Sequence, residues 1–197
     1  MKYFKLKDSL QTKAAWYLSD PCDELTGEEL IPYEFMRGDI LPGEIRLRVN
    51  IVKNGPKNDI SFTTMGVPII NERVASLIRD YFPLHECMQM IPVTVFNMKD
   101  KYYALNTLKC ISCLSPDSTI DCWPNDGSAK AGRLLVVREI VMANLRSYPI
   151  LFRVKEWCHD IIVSENFAQN LISNNISGVD YIPISVSKSN AVYVPIR

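Results

Sequence analysis

Ile69-Ile70-Asn71-Glu72-Arg73-Val74-Ala75-Ser76-Leu77-Ile78, running on to Ile91-Pro92-Val93, recurs later in altered letters. The second version is Ile162-Val163-Ser164-Glu165-Asn166-Phe167-Ala168-Gln169-Asn170-Leu171, running on to Ile182-Pro183-Ile184. In each version a short apolar run meets a residue, Asn71 or Ser164, whose side chain accepts hydrogen bonds from the free amides of a first helical turn. Glu72 and Glu165 then stand where negative charge favours the positive end of the helix dipole. Behind them Val74, Leu77, Ile78 and Tyr81 share one helical face, as do Phe167, Ala168, Leu171 and Ile172. Gly178 falls just past the second helix, in a place that suits a helix end. The spacing predicts a strand, helix and strand unit built twice.

Outward from these units, strand patterns dominate. Residues 2 to 6 and the alternating Glu44 to Val52 read as strands, the latter with Ile45, Leu47, Val49 and Ile51 on one face and a wet face opposite. Ile91 to Phe96 and Lys101 to Leu105 flank a polar turn and predict a hairpin. Further strands are expected at Arg133 to Val141, Ile150 to Val154 and Asp160 to Val163, with a last edge strand at Ala191 to Ile196. Ser9 to Leu18 reads as a short helix, and Asp20 to Gly43 as an irregular acidic segment. The stretch from Leu114 to Gly132 is expected to be a long loop, a kind of segment that often carries function. The fold class expected is therefore α+β, with mainly antiparallel or mixed sheets and a few short helices. The turn Asn54 to Asp59 divides an N-terminal strand and helix segment, residues 1–58, from a main α+β domain, residues 59–197, the first packed on the second as one compact unit.

A chain of 197 residues with 47% apolar content can bury a core. Its 22 basic and 22 acidic residues cancel, which gives no reason to expect direct contact with nucleic acid. No apolar run at the start reaches the length of a signal core or membrane span, so a cytoplasmic protein without a membrane partner is expected. The 6 cysteines then read as reduced thiols.

The catalytic and cofactor motifs are missing: there is no glycine-rich phosphate loop, no His-Glu-x-x-His, no Gly-x-Ser-x-Gly and no dinucleotide fingerprint. No cofactor is expected. Cys110-Ile111-Ser112-Cys113 reads first as two small buried hydrophobes at a strand end. Its second reading is a zinc knuckle, with Cys110, Cys113 and Cys122 joined by Cys158 or His159. His85 with Cys87, or Cys158 with His159, supplies the residue types for a thiolate and base, although neighbours on a strand point to opposite faces. Asp23, Glu24, Glu28 and Glu29 read either as a solvated face or as a docking surface for a basic partner. Trp123, in the long loop, reads as a contact anchor or as a ring folded back on the core.

The run Asp59-Ile60, Val67 to Val74, Met88 to Val93 and Lys101 to Asn106, with Ile150 to Val154, Ile161 to Phe167 and Ser177 to Ile184, resembles immunity protein family eleven of bacterial polymorphic toxin systems. The resemblance covers residues 59–184. It implies a non-catalytic protein that binds and neutralises a cognate toxin domain, protecting the producing bacterium. It transfers no catalytic residue. A zinc-binding interaction module and a small hydrolase of unfamiliar type stand as the alternatives.

Overall fold

The computed structural model describes residues 2–9, 16–28, 32–82, 84–115, 118, 120–122, 133–135, 139–141 and 149–187. Along the chain come β1 (Tyr3–Asp8), β2 (Tyr17–Leu18), β3 (Cys22–Asp23), a 3-10 turn at Pro32–Met36, β4 (Leu47–Val49), β5 (Ile51–Lys53), β6 (Ile60–Phe62) and β7 (Pro68–Asn71). Next are α1 (Glu72–Tyr81), α2 (Leu84–Cys87), β8 (Met88–Val95), β9 (Tyr102–Thr107), β10 (Cys110–Ile111), β11 (Ile120–Cys122), β12 (Arg133–Leu135) and β13 (Glu139–Val141). The chain continues with β14 (Leu151–Val154), β15 (Trp157–Ser164), α3 (Glu165–Ser173) and β16 (Val179–Ser187). The class is α+β. Two six-stranded mixed sheets run β10-β14-β15-β1-β16-β13 and β3-β4-β8-β9-β7-β6, and two small ladders join β2 to β5 and β11 to β12.

The repeated phrase becomes a repeated topology. In one sheet the two strands around α1 are separated by β9, antiparallel to both. In the other, the two strands around α3 are separated by β1, again antiparallel to both. Register matches residue for residue: Tyr102 lies opposite Asn71 and Val93, and Tyr3 lies opposite Ser164 and Ile184. Pro92 faces Tyr103 as Pro183 faces Phe4. The outer strands agree too, β6 and β14 pairing antiparallel with β7 and β15, β4 and β13 pairing parallel with β8 and β16. The central strand of the second unit thus comes from the start of the chain, and Lys2-Tyr3-Phe4-Lys5-Leu6 occupies the place that Lys101-Tyr102-Tyr103-Ala104-Leu105 fills in the first. Strands from before residue 59 are built into both sheets.

Both helices begin as their caps dictate. Asn71 accepts the Val74 N–H at 3.1 Å, and Ser164 accepts the Phe167 N–H at 3.3 Å. Val74, Ala75 and Ile78 of α1 and Phe167, Ala168 and Leu171 of α3 are buried with Leu6, Leu151, Ile161 and Val163 of one sheet and Ile60, Ile70, Met88 and Leu105 of the other. The outer face of each sheet has its own core. Leu47, Val49, Ile69, Ile91, Val93 and Ala104 pack with Trp16, Leu18 and Phe35, while Tyr3, Phe152, Val154, Ile162 and Ile184 pack with Cys113, Leu114 and Ile140. Ile69 and Ile70 therefore point into different cores, the consequence of period-two alternation in a strand buried on both faces.

Several expectations need correction. Tyr17 and Leu18 are strand, because β5 offers them backbone partners that outweigh a weak helical pattern; the helix expected across 10–15 lies outside the described residues. The strand from Glu44 to Val52 breaks at Asn50, whose N–H goes to Ser19 Oγ and whose carbonyl takes the Ser19 N–H, both at 2.9 Å. Tyr81 is 64% exposed and Ile172 45%. Ala75 takes a place on the α1 core face, and Phe82, past the helix end, packs its ring 4.9 Å from Phe167. The single strand expected from Arg133 to Val141 is β12 and β13 in different sheets. The expected strand at Ala191 to Ile196 lies outside the described residues.

Candidate binding face

The first unit carries a hollow surface that the second does not share residue for residue. Its floor is the hairpin of β8 and β9, where Met90 lies opposite Leu105 and Pro92 opposite Tyr103. Gln89 and Asn106, also opposite each other, reach sideways to hold a chain segment against the sheet. Gln89 accepts the Leu41 N–H at 3.0 Å and donates to the Leu41 carbonyl at 2.8 Å, and Asn106 donates to the Asp39 carbonyl at 2.8 Å. These amides do for residues 39–41 what a neighbouring strand would do. Ile40, held between two pinned residues, is 74% exposed.

Three concavities involve this hairpin and the turn beside it. One of about 430 Å³ is walled by Ile40, Met88, Met90, Leu108, Arg79 and Tyr103. A second, of about 1100 Å³, is lined by Tyr102, Tyr103, Val93, Met98, Lys101, Arg46, Glu44 and Glu24 among others. The third, of about 480 Å³, shares Asp100, Lys101 and Tyr102 and extends to Glu72 and Arg73. Tyr103 lines the first and second, and Tyr102, mostly buried on the opposite face of β9, lines the second and third. Tyrosine, arginine and methionine are the side chains enriched at protein interfaces, because each brings a large contact area with a polar or adaptable end.

Tyr103 is held in place electrostatically. Tyr103 donates to Glu72 Oε2 at 2.6 Å and Arg79 to Glu72 Oε1 at 2.7 Å, with the guanidinium 5.0 Å above the Tyr103 ring. The Tyr103 hydroxyl and then Arg79 hold the Glu72 carboxyl below its ordinary range. Alongside, Lys57 pairs with Asp100 at 3.0 Å, and burial pushes the Tyr102 phenol up.

The acidic residues singled out in the sequence divide. Glu24 lines the hollow of about 1100 Å³. The Asp23 carboxylate accepts the Leu25 and Thr26 N–H groups at 2.7 and 3.0 Å, and those amides, Thr26 first, hold it below its ordinary range. Glu28 is exposed, and its carbonyl takes the Asp23 N–H at 2.9 Å. Glu29 and Trp123 lie outside the described residues.

The cysteines are dispersed by the same topology. Cys113 is fully buried, and burial pushes its thiol up to about 12; Cys110 is half-buried on β10, and the Cys122 side chain lies outside what is described. Among the described residues no group of three or more His, Cys, Asp or Glu side chains converges as a metal requires. Cys158 and His159 do not face each other: the thiol donates to Met36 Sδ at 4.0 Å, and the imidazole rests 4.9 Å from the Trp157 ring. Burial pushes Cys87 up to about 11, and the side chain of His85 lies outside what is described.

Sequence reasoning passed over Tyr103, Arg79, Met88, Met90 and Ile40 as site residues. One signal was legible, the alternation Met88-Gln89-Met90 beside Tyr102-Tyr103; Ile40 becomes part of the surface only through the long-range clasp of Gln89. In comparisons with known proteins, no family model and no curated protein matches this chain.

Proposed function

We propose that this chain is an immunity protein, which binds a cognate toxin domain and neutralises it by stoichiometric occlusion inside the producing bacterium. The resemblance over residues 59–184 supplies the partner class. The observation that carries the binding role is Tyr103, which lines two hollows and is preorganised by Glu72 and Arg79, beside the segment 39–41 that Gln89 and Asn106 pin to the sheet. A rigid surface loses little conformational freedom on association, which favours affinity. Glu24, Glu44, Arg46, Lys99, Asp100 and Lys101 all line the hollow of about 1100 Å³, so the face offers a partner charges of both signs.

The test is capture. The chain is expected to co-purify one to one with the toxin domain encoded beside it and to rescue cells that express that domain. Tyr103→Ala should weaken capture while leaving the fold intact. Rescue with no complex, or capture indifferent to Tyr103, Arg79 and Met90 together, would remove the proposal.

A further inference from the structure

Asn54-Gly55 is the one place in the chain where glycine follows asparagine. The side chain of an asparagine is open to attack by the backbone nitrogen of the next residue. Glycine, which has no Cβ, gives that nitrogen the least hindered approach and the widest choice of backbone angles. The attack needs a backbone that can turn, a following amide that is not already engaged, and access for water.

The fold supplies these together at Asn54. Lys53, opposite Tyr17, closes the ladder of β2 and β5, and the next fixed point is the Pro56 carbonyl, which accepts the Trp16 N–H at 3.2 Å. Asn54 and Gly55 lie between these anchors in neither helix nor strand. Both are exposed, as are Pro56 and Lys57, and the Gly55 N–H meets no partner among the described residues. Other asparagines are guarded at that same atom. The amide after Asn58 donates to Ser177 Oγ at 3.0 Å, and the one after Asn166 to Ser164 Oγ at 3.3 Å. The amides after Asn174 and Asn175 donate to the carbonyls of Ile172 and Leu171 at 2.9 and 3.0 Å. Asn97 is the sharpest contrast, since it too is exposed, yet the Met98 N–H that follows it is held by the Val95 carbonyl at 2.9 Å.

We propose that Asn54-Gly55 is a site of spontaneous covalent modification, where the exposed turn ages to isoaspartate. The Gly55 nitrogen attacks the Asn54 side-chain carbonyl carbon; an N–C bond forms, the bond to the side-chain nitrogen breaks, and ammonia leaves with the proton that the amide gives up. Water then opens the cyclic imide at either carbonyl, giving aspartate or, with the backbone rerouted through the side chain, isoaspartate. Nothing is oxidised or reduced. The product carries a carboxylate where a neutral amide stood, between Lys53 and Lys57 in the chain. Lys57 pairs with Asp100 at 3.0 Å and lines the hollow of about 480 Å³. A chain whose 22 acidic and 22 basic residues cancel thus gains negative charge three residues from a lysine of that hollow. The chemistry does not depend on the toxin-binding reading.

The full-length protein is held at mildly alkaline pH, sampled over days, and mapped by mass spectrometry with fragmentation that separates isoaspartate from aspartate. A mass gain of about one unit is expected, falling on Asn54 before any other asparagine, with isoaspartate the larger product. Gly55→Ala slows the gain several-fold. The wild type unfolded in urea modifies Asn54 at a rate within a few-fold of the folded protein, a comparison that needs no variant to fold. An Asn54 that stays intact in the folded protein while the unfolded chain is modified overturns the proposal. So does an unchanged rate in Gly55→Ala, or a gain that falls first on Asn97 or another asparagine.

Discussion

The Tyr103 phenol and the Glu72 carboxylate meet at 2.6 Å, joining the middle strand of one sheet to the first turn of the helix above it. In the second unit the matching pair is Phe4 and Glu165, with no phenol to donate, and Glu165 turns instead to Lys2 at 3.4 Å. One half of a duplicated scaffold has thus kept its fold while changing the chemistry of its surface.

Tyr103→Phe deletes only that hydroxyl. Because Glu72 is well exposed, the loss of stability should be under about 1 kcal/mol by urea unfolding. Tyr103→Ala should cost about 2 kcal/mol or more of partner binding, as the removal of a central aromatic anchor does, measured by calorimetry on the captured toxin domain.

Asp59 ties the two units together. It accepts the Asn71 side-chain amide at 2.9 Å, the Ser177 N–H at 2.9 Å and hydroxyl at 2.8 Å, and pairs with Arg73 at 3.3 Å. Burial by itself would raise its pKa, but the Ser177 and Asn71 hydrogen bonds and the Arg73 charge outweigh it and hold the group below the ordinary 3.8. A depressed carboxylate contributes stability that is complete above its unfolded pKa and is lost as pH falls through the folded one. Melting of the wild type should therefore fall in acid more than that of Asp59→Asn, with the two curves converging only below the ordinary value of 3.8. Parallel curves from pH 6 to 2 would contradict this.

Gly178→Ala should be among the most damaging single changes. Its φ is +95°, and a Cβ there would lie 1.9 Å from the Ile60 carbonyl oxygen and 2.7 Å from the Asn58 Cβ. Strain and collision together predict a loss of about 4 kcal/mol or more, read as a shifted denaturant midpoint or as insoluble expression.

The two caps give a comparison inside one molecule. Ser164→Ala removes one helix-start bond and should cost about 1 kcal/mol. Asn71→Ala also strips a donor from Asp59, so its cost should exceed that of Ser164→Ala in the same chemical denaturation series.

Much of the scaffold was legible because its signals are local. Asn71 and Ser164 announce helix starts, the polar turn after Val95 announces a hairpin, and Ile-Pro-Val and Ile-Pro-Ile mark equivalent strands. The candidate surface was less legible. Glu24 was found through its charge, but Tyr103 looks like any strand tyrosine until Arg79 and Glu72 are seen beside it. Arg153 gave no signal at all, because a charged residue in a strand is ordinarily wet, yet here it is fully buried between β10 and β15.

By itself, then, the sequence determined the elements and their doubling, since caps, turns and alternation act over a few residues and need no knowledge of what lies across the molecule. The tertiary structure alone decided that β1 completes the second unit, that Asn50 leaves its strand for Ser19, and that Ile40 is displayed while Arg153 is enclosed. Those outcomes depend on which strand becomes a neighbour and which surface it covers, and they are settled only when segments far apart in the chain compete for the same backbone partners and the same apolar faces.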